Sequence, residues 1–65
     1  EAECPRLRKL MAETKGLLDA TNGKLANANF VDRAPAAVVD KERAKAAEFT
    51  ATLARLQSQL DQLGC

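Results

Sequence analysis

The chain has no histidine, tryptophan or tyrosine, and only two phenylalanines in 65 residues. Without histidine it lacks the side chain most used for proton transfer near neutral pH. Its three glycines, Gly16, Gly23 and Gly64, lie too far apart to form a phosphate-cradling loop, and no nucleophile stands at a defined spacing from a base. Asp40 and Glu42 are two residues apart and point to different sides of a helix, so they do not work as a carboxylate pair. The two cysteines form neither a CxxC nor a Cys/His cluster, which argues against a zinc or redox site. No run of about 18 apolar residues and no signal peptide is present, so no membrane span is expected. These absences predict a non-catalytic chain with no metal, cofactor or small-molecule substrate.

β-Branched and aromatic residues are too few for a sheet, while alanine, leucine and charged residues dominate. The expected fold is all-α. A single domain this small buries only ~60% of its unfolded surface, so a staple, a partner or a parent protein is expected to support it. The first residue, Glu1, is not methionine, which suggests a segment excised from a larger protein.

Pro5 is tolerated in a first helical turn, where its missing amide hydrogen would be unpaired anyway. Beyond it, Cys4, Leu7, Met11, Thr14, Leu18, Thr21, Leu25 and Ala28 recur in alternating steps of three and four, the seam of a coiled coil. Leu10 and Leu17 flank that line and are expected to widen it. From Pro35 a second seam reads Pro35, Val39, Glu42, Ala46, Phe49, Leu53, Leu56, Leu60 and Leu63, with Gly64 as a C-terminal stop. A reversal at Asn22-Gly23 is the rival turn. It is rejected because the first period continues through Leu25 and because the second arm would become much longer than the first. Asn27 and Asn29 suit a helix end, and Ala34 is pushed toward an extended conformation by Pro35. The prediction is therefore an antiparallel two-helix coiled-coil hairpin, with helices at about 5–27 and 35–63 and a bend at 28–34.

Pairing residues whose numbers sum to about 70 sets Leu7 beside Leu63, Met11 near Leu60, Thr14 near Leu56, Leu18 near Leu53, Thr21 near Phe49 and Leu25 near Ala46. Each leucine buried this way contributes about 1.5–3 kcal/mol against the ordering entropy of both arms. The same register sets Cys4 beside Cys65, the one intramolecular disulfide two cysteines allow, against the alternative of two unrelated thiols. Charge is uneven along the chain. Residues 22–46 carry Lys24, Arg33, Lys41, Arg43 and Lys45 against Asp32, Asp40 and Glu42, whereas the flanks balance or run slightly acidic. The positive excess thus gathers at the bend, although a surplus of this size taken alone more often marks a solvated surface.

One stretch is more specific. Lys24-Leu25, Asn27, Phe30-Val31, Arg33-Ala34-Pro35, Val38-Val39 and Lys41-Glu42-Arg43 resemble the signature at the bend of the C-terminal arm of bacterial valyl-tRNA synthetase. The resemblance is specific over about twenty residues; outside them both arms match only as leucine-spaced helices. It implies an antiparallel coiled-coil arm of a cytoplasmic enzyme that reaches the outer corner of tRNA, where the D and T loops meet. There the arm supports aminoacylation carried out elsewhere in the enzyme. The implied partner is tRNA, and the arm itself is expected to be monomeric. Cys4 and Cys65 are no part of the signature, and the arms are richer in alanine, threonine and glutamine than the usual Glu/Lys-laden version. Both departures suggest an excised, stapled segment.

The bend chemistry is compatible with that role. Lys24, Arg33, Lys41, Arg43 and Lys45 are candidates to neutralise phosphates, and Phe30 offers a face to an exposed base. Phe30, Val31 and Val38 equally suit a small apolar plug closing the turn. Asn27, Pro35 and Glu42 are assigned to the bend itself: Asn27 as a backbone cap, Pro35 as the start of the second helix, and Glu42 as a seam carboxylate needing Lys24, Asn27 or free amides as partners. A second class remains open, a structural or protein-interaction hairpin such as the similar arm ending some ribosome-associated ATP-binding-cassette proteins.

Overall fold

A computed structural model describes residues 3–65, so Glu1 lies outside the described residues. Three helices follow in order: α1, Glu3–Ala26; α2, Ala28–Arg33; and α3, Ala36–Leu63. No strand occurs among the described residues, and α1 and α3 pack side by side along most of their length. Cys4 is bonded to Cys65 at one end of the pair, and Lys24 is ion-paired to Glu42 near the other. The two long helices therefore run antiparallel, in a rod of 47 × 14 × 13 Å. α1 continues unbroken through Asn22 and Gly23, so the rival turn is not used.

The connection is more ordered than a plain bend. Asn27 leaves the helical region (φ −85°, ψ 109°) and ends α1, yet its side-chain oxygen accepts the Asn29 amide at 3.0 Å. Its carbonyl accepts from Val31 N at 3.1 Å, so a new helix starts at once. An asparagine in this capping position is worth about 1 kcal/mol over alanine. α2 lasts six residues and stops at Ala34, which is extended (φ −71°, ψ 147°) as the following proline ring requires. Pro35 is itself extended (φ −56°, ψ 145°), and its carbonyl accepts from Val38 N and Val39 N. The second long helix thus begins just after the proline, at Ala36 rather than Pro35.

At the far end Gly64 adopts the left-handed conformation (φ 78°) that favours glycine. Its amide donates to Asp61 O at 3.2 Å and that of Cys65 to Leu60 O at 3.1 Å, the paired bonds of a Schellman turn. The chain is thereby turned off the helix and delivers Cys65 to Cys4, with a Cα–Cα separation of 6.3 Å.

Leu7, Leu56 and Leu60 form the buried cluster beside this closure, with Cys4 and Met11 packed against it. This corrects the expected register at the open end. Leu63, paired above with Leu7, is 50% exposed, and Leu7 sits instead among Leu56 and Leu60. Leu63 is the last residue of α3, where the chain turns off the helix at Gly64 and no further turn follows to cover it. Ala28 and Pro35, at the other extremity of the two seams, are exposed for a different reason: both belong to the connection and not to the paired helices. Leu10 and Leu17 do not widen the interface either, remaining 41% and 55% exposed, because a two-helix pair has no third element to cover that side.

Candidate nucleic-acid interface

The closed end of the rod holds five of the chain's ten Lys and Arg residues. Lys24 lies in the last turn of α1, Arg33 ends α2, and Lys41, Arg43 and Lys45 lie in the first turns of α3. Their positions follow from the fold-back, which brings the last turn of α1 beside the opening turns of α3 with α2 packed against α1.

Glu42 organises this end. Its side chain is only 9% exposed on the seam, and it meets Lys45 Nζ at 3.1 Å and Lys24 Nζ at 3.5 Å. The Lys45 bond, with the charges of both lysines, holds the Glu42 carboxyl below the ordinary carboxylate value of 4.5 against the opposing effect of burial. The Lys24 pair therefore ties α1 to α3, while the Lys45 pair lies within α3, and both lysine side chains remain more than half exposed. Glu42 thus finds the Lys24 partner expected from the sequence; Asn27, another candidate, spends its side chain on the α2 cap.

A pH dependence follows with a definite sign. Because the folded-state value of Glu42 lies below its unfolded one, the stability it contributes is complete above about 4.5 and is lost as pH falls through the lowered folded value. Melting temperatures recorded on descending pH should fall in that window. Glu42→Gln should flatten that part of the profile, and an unchanged profile would remove the assigned role.

Arg43 lies 3.7 Å from Asp40 on the same helix, an exposed pair of small energetic consequence. Among the described residues Arg33 and Lys41 have no ion-pair partner and are exposed. Phe30 and Val31 are half-buried and Val38 is 42% exposed, so Val38 takes no full part in a plug. Sequence reasoning missed a shallow groove of about 210 Å³ lined by Val31, Ala34, Ala36, Val39, Asp40 and Arg43. No periodic signal announces it, because it lies where α2 and α3 diverge around Pro35. The Asp40–Arg43 pair on its rim was readable from the three-residue spacing. No group of metal-ligating side chains and no helix long and apolar enough to cross a membrane is found among the described residues.

A family model described as the valyl tRNA synthetase tRNA binding arm matches residues 1–64. The chain belongs to this family of tRNA-binding arms. Valine–tRNA ligase of Dechloromonas aromatica (strain RCB) is 49% identical to the arm over 63 residues, 97% of the chain and 7% of that ligase. The ligase of Xanthomonas oryzae pv. oryzae (strain PXO99A) is 49% identical over 63 residues, again 97% of the chain and 6% of the relative. That of Xylella fastidiosa (strain 9a5c) is 44% identical over 59 residues, 91% of the chain and 6% of the relative. The arm thus spans only about 7% of the length of the first of these. No solved structure matches it.

Proposed function

We propose that the arm binds tRNA through its closed end as a non-catalytic part of a valine–tRNA ligase. In this reading Arg33, Lys41 and Arg43 contact phosphates. Lys24 and Lys45, held by Glu42, add to the local field, and the Lys24–Glu42 pair keeps the two helices together at the contact. Phe30 and the groove floor meet the exposed surface at the outer corner of tRNA, while aminoacylation proceeds elsewhere in a cytoplasmic enzyme.

The observation that supports the reading most is the placement of Arg33 and Lys41, exposed and without an ion-pair partner among the described residues, beside the Asp40-paired Arg43 at one end of a 47 Å rod. Phosphate contacts of this kind position a nucleic acid without reading its sequence, which suits a recognition element remote from the chemistry. Deleting residues 1–65 from the full-length ligase should raise KM for tRNA and leave kcat at saturating tRNA nearly unchanged, the pattern of lost uniform binding. Equal KM values with and without the arm, at low salt and limiting tRNA, would refute it.

A further inference from the structure

We propose that the Cys4–Cys65 bond is a thiol-operated clasp, opened by attack of a small thiol on Cys65, and that its opening releases the hairpin from its free end. The inference concerns the folding of the arm and does not rest on the tRNA reading. The two cysteines sit in unlike surroundings. Cys4 is half-buried on α1 and packs on the Leu7–Leu56–Leu60 cluster, whereas Cys65 is exposed beyond Gly64, its amide bonded to Leu60 O. Exchange requires access to the sulfur attacked, so the open route leads to Cys65.

The clasp also sits where the packing is. Among the described residues, three of the four buried hydrophobic ones, Leu7, Leu56 and Leu60, lie within two to three turns of it; the fourth, Val39, is near the bend, where α2 has no buried residue of its own. Once the bond is cut, nothing covalent opposes separation of the helices at the end that carries most of the core. The bond joins residues 61 apart, and releasing a loop of that size lowers the folding constant by about a thousandfold on chain-entropy grounds.

The step balances with a glutathione-class thiol as reductant. Its thiolate attacks Sγ of Cys65, and the S–S electron pair leaves on Cys4 Sγ, which takes up a proton. The adduct now on Cys65 is attacked by a second thiolate at its outer sulfur, freeing the Cys65 thiolate to be protonated. Two thiols are oxidised to one disulfide while the protein gains two electrons and two protons.

The test equilibrates the 65-residue chain in buffers of graded reduced-to-oxidised glutathione, quenches with acid, and follows both helicity at 222 nm and the mass and position of adducts. Helix should disappear in step with appearance of the dithiol, and early adducts should favour Cys65 over Cys4 on the order of tenfold. A Cys4→Ser, Cys65→Ser double variant should match the reduced chain and ignore the buffer. Adducts spread equally or concentrated on Cys4 would overturn the assignment of Cys65. Helicity and melting temperature unchanged by full reduction, or a double variant as stable as the oxidised chain, would overturn the clasp.

Discussion

Leu60→Ala is expected to destabilise the hairpin by roughly 2–3 kcal/mol, the lower part of the range for truncating a buried leucine. Leu60 is 4% exposed and shares one cluster with Leu7 and Leu56, so the truncation removes apolar contacts from both helices at once. The cost stays at the low end because the pair is a single layer, and water or a shifted Met11 side chain can reach the vacated space. Even so it is a large part of what a domain of this size has, since such a core rarely supplies more than ~3–5 kcal/mol. Urea unfolding of the oxidised chain gives the measurement, with the unchanged disulfide keeping the variant folded enough to titrate. Leu63→Ala and Leu17→Ala, at half-exposed positions, should both stay within about 0.5 kcal/mol. If Leu63→Ala proved as costly as Leu60→Ala, the register described here would be wrong and the pairing of Leu7 with Leu63 restored.

Changing Arg33, Lys41 and Arg43 together to alanine is expected to flatten the salt dependence of tRNA binding. Each phosphate contact contributes ~0.7–0.9 to the slope of log K against log salt, so losing three lowers its magnitude by about 2–3. Equilibrium binding of the full-length ligase to labelled tRNA between low and moderate salt measures that slope, and the variant should lose most of its affinity advantage at low salt. Lys24→Met gives the contrast. Its ammonium is engaged by Glu42 across the helix pair while Lys45 still holds that carboxylate, so its loss should reduce stability modestly, through the lost cross-helix contact, more than it changes the slope. A triple variant with the parental slope would show that tRNA meets another surface of the arm.

How far the residues themselves announced this arrangement differs from place to place. The fold class and the turning point were readable because they rest on local chemistry. Asn27 ends one helix and caps the next, Ala34 is held extended by Pro35, and Gly64 supplies the left-handed stop. None of these needs a distant contact to act. The six-residue helix inside the connection was not foreseen, because two asparagines and a proline within nine residues look like loop until the Asn27 side chain is seen to accept the Asn29 amide. Leu10 and Leu17 misled for the converse reason: periodicity counts apolar residues without knowing how many neighbours exist to cover them.

The sequence by itself determined the helical arms, the place of reversal, the family and the residue types gathered at the tip, since spacing and backbone preference are properties of neighbouring residues. Only the tertiary structure decided which leucines share a cluster and which of five cations are already taken by Glu42 or Asp40. It also decided how unequally Cys4 and Cys65 are covered. Register, ion pairing and burial are set by where two helices come to rest against each other. A shift of one helical turn moves every cross-helix contact by about 5.4 Å while leaving the apolar pattern of each strand of sequence unaltered.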